Sequence, residues 1–588
     1  MAHLLRKRSV LIPILLAAGT GAVVFATRAA SSKARLKSVE TAPLRRKNDA
    51  TIQTDVLIVG SGAAALTASL RLKSLGLCPI IIEKSSKLGG TSTYSGGGLW
   101  IPNTHLHSAL PEHDDSPQEA LEYLEDIVGE AGPASSRLRK LAFLENGPKM
   151  IKWLESQGMK WIPTLGYPDY FPLAPGGKVG GRTVEPGVFD LNLLGEWKER
   201  LNFNPVRPPF PVFSYELSKL VRAKVSWEGR MTAAKVWGLR QWPQEYLLGR
   251  KSVTLGVSMV GQLLYLNLKM DVPILTETPL KELVVEDGKV TGAVVEREGK
   301  RITIEATHGV ILAAGGFARN KEMRRNYQAP GITADWTSVV PTDEGDAILA
   351  AIKIGAATAL MDSAWWGAAM VDPASGTRFW CLYDRVLPHS IIVDQTGKRF
   401  ANESQNYCSL GTALWERHKS VPAIPAYLVL DSQHRRRYVL AGKFMPGDIP
   451  QSAIVSGFIT KGDTIQELAG KLNLDASSLT KTVRHFNSFV AEGKDKDFVR
   501  GDSPYDAFLG DPTYKPNHNL GSIAQPPFYA VKIWPGDLGT RGGVLTDEHA
   551  RALKETRGGG MEVIKGLYAV GNSSASVMGE RMVGWERC

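Results

Sequence analysis

The sequence predicts an α/β protein in which a parallel-sheet domain is interrupted by an inserted α+β domain. Three observations carry this. Residues 54–84 read as strand, tight turn, helix and strand; a second buried strand ends in glycines at GVILAAGGF (309–317); and a third, GLYAVGN, starts at Gly566. Distant stretches that share this texture belong to one parallel sheet, because parallel strands need long crossovers. At 588 residues the chain also exceeds one ordinary core.

The first segment, residues 1–50, reads as a basic leader. Residues 1–47 hold ten Lys or Arg and a single acid, Glu40, so nearly all of the net +11 sits there and the remainder carries about +2. Nucleic-acid binding by the folded part is therefore unsupported. Arg6, Lys7 and Arg8 precede a charge-free run, 9–27, followed by Arg28, Lys33, Arg35 and Lys37. At about 1.5 Å per helical residue the run falls just short of a hydrocarbon core of roughly 30 Å, a gap that snorkelling flanks close. A membrane anchor and a cleaved signal both fit. The heavier basic flank on the C-terminal side places the catalytic body in the cytoplasm if the run is an anchor; a mitochondrial presequence is the alternative. Four cysteines without close spacing argue against a disulfide framework or a structural metal site.

The dinucleotide-type domain is expected over 51–363 and again over 506–588, with the inserted substrate domain at 364–505. Residues 110–160 carry apolar residues at helical spacing. GYPDYFPLAPGGKVGGRT (166–183) is too rich in breakers for regular structure. Short β-rich runs from Val272 to Ile304, punctuated by Asp287-Gly288 and Glu298-Gly299, predict a hairpin ribbon. Within the insertion, IIVDQTGKRF suggests a hairpin, and TIQELAGKL with LTKTVRHFNSFV a helix pair. YAVKIWPGDLG returns to the texture of the first domain.

Gly60-Ser61-Gly62-Ala63 matches the Rossmann-type GxG turn, with alanine tolerated at the usual third glycine. The first glycine permits the turn, the second lets the backbone approach a pyrophosphate, and the helix N-terminus offers free N–H donors. Glu83, ending the second strand and followed by Lys84, is placed to accept from a ribose hydroxyl. FAD is favoured over NAD because a second Gly-rich patch, LGGTSTYSGGGLWIP, follows directly. Its Gly90, Thr91, Ser92, Ser95 and Gly96 offer the N–H groups and hydroxyls that a deeply threaded cofactor needs. The later stretches contribute Ala314, Gly315, Gly571 and Asn572.

SGGGLWIPN, PDYFPLAPGG, KRFANESQNY, PGDLGTRGGVLTD and GLYAVGNSSASVMG together resemble the FAD-dependent 3-ketosteroid Δ1-dehydrogenases, within the fumarate-reductase-type flavoproteins. The resemblance implies an FAD-binding domain, an apolar steroid or steroid-like triterpenoid substrate, and an external electron acceptor. It further implies that a tyrosine takes a proton from C2 of the A ring while the flavin takes a hydride from C1. By position that base is Tyr407, assisted by Tyr170. A phenol, with a reference pKa near 10, serves as base only where its anion is stabilised or its proton relayed. Trp365, Trp366, Trp380 and Tyr383 would build either a flat apolar cleft or ordinary core.

The resemblance also implies a Tyr-Pro-Gly-x-Gly segment soon after Gly579, whose donors bind the C3 carbonyl. Here Met582, Val583 and Glu586 stand at the tyrosine, proline and final glycine, and Gly584 alone matches. Two further expectations follow: a flavin-binding protein without turnover, or an incomplete product of a gene whose full version is the enzyme. A fumarate-reductase-like enzyme on the same fold is the remaining reading. It would need Arg399 and His389 free to hold substrate carboxylates.

Overall fold

The computed structural model describes residues 44–110 and 114–580. The apolar run of the leader and the segment from residue 581 onward lie outside these residues. Among the described residues no helix is long and apolar enough to cross a membrane.

The main sheet has nine strands, and its centre is parallel. Met561–Ala569, Lys300–Leu312, Thr51–Val59, Pro79–Ile82 and Ile274–Leu275 lie side by side in that order. The register aligns Leu312 with both Val59 and Ala569, so three strands distant in sequence end at one level. Each end then hands its chain to the next: Ala313 N donates to Val59 O (2.9 Å), and Val570 N to Leu312 O (2.9 Å). This is the carboxyl-end crevice at which open α/β sheets bind ligands. Near-continuous burial of Val56–Val59 and Ile80–Ile82 explains the unbroken apolar runs of these strands.

The ribbon predicted between 272 and 304 is present as Leu280–Glu286, Lys289–Arg297 and the first half of Lys300–Leu312. Its turns take positive φ at Asp287 (48°), Gly288 (72°), Glu298 (51°) and Gly299 (74°), as two-residue hairpins require. Arg45–Asn48 pairs with Thr51–Val59, so this domain begins before residue 51. Helices Pro117–Val128 and Arg137–Ser156 occupy the stretch expected to be helical.

A second, six-stranded sheet is antiparallel, and its central strand is Phe528–Thr540, flanked by Ala364–Val371 and Ala426–Asp431. The expected division at residue 505 therefore cuts through this sheet, and YAVKIWPGDLG belongs to it. Alternation of apolar residues says that a strand exists but not which sheet receives it. The hairpin expected at IIVDQTGKRF does not form. Ser390–Val393 pairs instead with Ala426–Asp431, while Asp394 Oδ1 gathers the N–H groups of Thr396 (2.8 Å) and Lys398 (3.1 Å). Arg399 then turns inward to Glu403 and Asp495. The helices Ile465–Leu472 and Ala476–Glu492 form the predicted pair.

Candidate active site

A cavity at the crevice collects most of the predicted cofactor residues: Gly60, Ser61, Gly62, Ala63, Glu83, Lys84, Gly90, Thr91, Ser92, Ala314, Gly315, Gly571 and Asn572. Gly60 has φ 106°, and a Cβ there would sit 2.4 Å from Ala313 O, so the turn that opens helix Ala63–Ser74 admits glycine alone. No side chain caps this helix at Gly62. Its first N–H groups stay available to an anion, apart from Ala63 N, which donates to Ser92 Oγ (3.1 Å). Ser573 ties the other two stretches together: Ala314 N donates to its Oγ (3.0 Å), which donates on to Gly315 O (2.9 Å).

Glu83 accepts from Ser61 Oγ (2.7 Å) and Ser85 N (2.9 Å). Burial raises its pKa against these bonds. Lys84 faces Asp346 (2.6 Å) and Glu344 (2.7 Å). Sequence reasoning missed Asp343, which lines the same cavity. Its Oδ1 is buried without a partner, and burial lifts its pKa from 3.8 to about 7. An unpartnered buried oxygen, uncapped helix N–H groups and glycines too close-packed for side chains fit a bound dinucleotide. The signal that could have found Asp343 is its place just before Gly345-Asp346, where helix Asp346–Lys353 starts at the crevice.

Ser95 and Gly96 line a neighbouring cavity of about 390 Å³, together with Tyr94, Tyr167, Trp380 and Tyr407. The two cavities share Leu538 and so adjoin one another. The Gly-rich patch thus runs from one cavity into the other.

Tyr407 is the first residue of helix Tyr407–His418, capped by Asn406, which accepts from Ser409 N (2.9 Å). Gly411, one turn on, lets the helix lie against strand Ala364–Val371; a Cβ there would be 2.4 Å from Gly367 N. The positive end of the helix dipole therefore points at the Tyr407 end of the site, where a phenolate would be favoured. Tyr170 packs edge-on to Tyr407, ring centroids 5.5 Å apart, and Tyr505 packs on Tyr170 at 5.1 Å. Tyr170 and Tyr407 are each 3% exposed. The Tyr170 hydroxyl has no hydrogen-bond partner of good geometry. Burial drives its pKa well above the ordinary value, and the nearby Tyr167, Tyr407 and Tyr505 phenols add to that.

Tyr170 sits on the breaker-rich loop, so its position depends on its neighbour. Asp169 accepts from Trp100 Nε1 (2.7 Å), Lys178 N (3.0 Å) and Arg182 Nη1 (2.8 Å), and Arg182 continues to Asp115. Burial holds Asp169 up at about 6 against the pull of Arg182. A second residue absent from sequence reasoning is Arg541. It is fully buried over the Trp365 ring (4.4 Å), donates to Cys408 Sγ (3.4 Å) and leaves Nε and Nη1 unpaired. Of the other aromatics, Trp380 meets Tyr407 edge-on at 5.5 Å, whereas Tyr383 donates to Ser214 O (3.4 Å). The segment expected to bind the C3 carbonyl falls on residues outside the described ones.

Residues 55–582 match the FAD binding domain family. The 3-oxosteroid 1-dehydrogenase of Mycolicibacterium smegmatis is 41% identical over 546 residues, covering 90% of this chain and 93% of that one. The chain belongs to the 3-oxosteroid 1-dehydrogenase family of FAD-binding oxidoreductases. The 4-oxocyclohexanecarboxylate 2-dehydrogenase of Sinomonas cyclohexanicum is 34% identical, covering 89% of this chain and 88% of its own. The crystal structure of 3-ketosteroid Δ1-dehydrogenase from Sterolibacterium denitrificans with 1,4-androstadiene-3,17-dione superposes with a TM-score of 0.84 at 36% identity. It covers 90% of this chain and 96% of that one. For this dehydrogenase family member, the glycine turns of the crevice fit FAD, and the tyrosine cluster lines the neighbouring cavity.

Proposed function

We propose that this enzyme removes hydrogen from C1 and C2 of a 3-oxosteroid A ring, with Tyr407 as the base at C2 and Tyr170 assisting. The observation that carries this is the buried Tyr170–Tyr407 pair, at a cavity that adjoins the cofactor crevice through Leu538. Bound FAD would supply the two-electron acceptor for the hydrogen leaving C1. The dipole of helix Tyr407–His418, whose first residue is Tyr407, favours the Tyr407 anion. Tyr170, held protonated by burial, remains able to donate to that anion.

Fumarate chemistry would need Arg399 and His389 to be free. Arg399 is committed to Glu403 and Asp495, and His389 to Ser522 O and the Tyr514 hydroxyl. Anaerobic mixing of the flavin-loaded protein with a 3-oxosteroid bleaches its yellow colour on this reading. Bleaching by reduced nicotinamide alone, with recovery on adding fumarate, would overturn it. We also place the protein at a membrane through residues 9–27, with the catalytic body cytoplasmic and an external acceptor reoxidising the flavin. The charge-free run and its basic flanks support this. Carbonate extraction of cell membranes tests it: release of the full-length chain into the soluble fraction counts against an anchor.

A further inference from the structure

Three guanidinium groups line one continuous cleft with Tyr407. Arg319 and Arg378 face the cavity of about 390 Å³, and Arg207 faces an adjoining one of about 150 Å³ that shares Tyr94, Ser95 and Asn204 with it. Among the described residues, no Asp or Glu lines either cavity. Among the described residues, none of the three is ion-paired; their contacts are with backbone carbonyls and a ring. Arg319 Nη1 and Nη2 donate to Ala334 O (3.0 Å) and Val339 O (2.6 Å), and its Nε is buried without a partner. Arg378 Nε donates to Asp335 O, and Arg207 lies over the Phe203 ring at 4.5 Å.

The carboxylates nearest to Arg319 are engaged or neutralised elsewhere. Asp537 is bonded to Arg324 (2.6 Å) and to Thr337 (2.6 Å). Asp343, with its pKa raised to about 7, faces the cofactor crevice. Burial and the nearby positive charge of Arg378 both lower the Arg319 pKa, so the two cations feel one another. Like charges gathered on a concave wall without an acid are the electrostatic complement of an anion. The wall is also the substrate's. Arg378 and Trp380 lie two residues apart on one strand and so share a face, about 7 Å from each other. The Trp380 ring in turn meets Tyr407.

We propose that this cleft takes a cyclic ketone carrying a carboxylate tail, with the ketone ring at Tyr407 and the carboxylate on Arg319 and Arg378. The assignment rests on the dehydrogenase reading above and narrows it from a neutral steroid to a steroid acid. Arg207 extends the positive wall for a longer tail.

The test compares 3-oxopregn-4-ene-20-carboxylic acid with its methyl ester, which removes the charge and keeps the rings. With the flavin-loaded protein, kcat/KM for the acid exceeds that for the ester roughly tenfold, carried by KM and shrinking with salt. In R378Q the acid-to-ester ratio falls by about the same factor, and in R378K much of it returns. Equal kcat/KM for acid and ester in the wild type, or an R378Q that lowers both alike, overturns the charge site and leaves the dehydrogenase reading standing. If neither compound is turned over, tryptophan quenching still reads binding. Acid-selective binding that collapses in R378Q then upholds the site while the dehydrogenase reading fails, and unselective binding overturns the site as well.

Discussion

Replacing Asp343 with Asn isolates one proton in the cofactor crevice. The carboxyl is fully enclosed, its Oδ1 has no partner, and burial, with the nearby Asp537 charge, lifts its pKa from 3.8 to about 7. The folded value lies above the unfolded one, so the proton favours the fold. The stabilisation is complete below 3.8 and is lost as pH rises through about 7. At about 1.36 kcal/mol per pH unit, flavin-free wild type loses about 2 kcal/mol from this group between about pH 5.5 and 7, and little more above that. Asn keeps the acceptor that faces the Gly316 backbone and carries no titrating proton, so D343N lacks this slope. Urea midpoints followed by circular dichroism at about pH 5.5, 7 and 8.5 give the difference between the two proteins. The variant gains on the wild type as pH rises. A constant difference across that range refutes the assignment of the proton to Asp343.

Further outcomes follow from the same geometry. Y407F retains flavin and loses roughly 10² to 10⁴ in kcat, as expected for removal of a general base; a stopped-flow flavin reduction rate within a few-fold of wild type would exclude Tyr407 from that role. D169A breaks a buried ion pair with Arg182 and costs about 3–5 kcal/mol, read as a lowered unfolding midpoint together with a slower reduction rate as the Tyr170 loop loses its anchor. G411A forces the helix away from strand Ala364–Val371; reduction slows while the flavin content stays at wild-type level, and an unchanged rate would show that the helix position does not set Tyr407.

The candidate site was partly readable because some of its parts are local. The turn at Gly60 and the carboxylate at Glu83 belong to a single strand–helix–strand unit, and that unit carries a chemical reason for each residue. Asp343 and Arg541 were not readable. Each matters because burial leaves its polar atoms without partners, and burial is a property of everything packed around a residue. The same holds for Ser95 and Gly96, which continue the Gly-rich patch in sequence but face the Tyr407 cavity in space.

By itself the sequence determined the strands, helices and tight turns of the dinucleotide half, because periodicity and turn chemistry act over a few residues. Tyr170 and Tyr407 were named by the family resemblance and not by the local pattern. Only the tertiary structure decided that Phe528–Thr540 joins the second sheet, that Tyr170 meets Tyr407 from a loop pinned by Asp169, and that three arginines share one wall to which no described residue adds an acid. Those facts depend on which surfaces the folded chain presses together, and the pairing of distant surfaces is written in no single stretch.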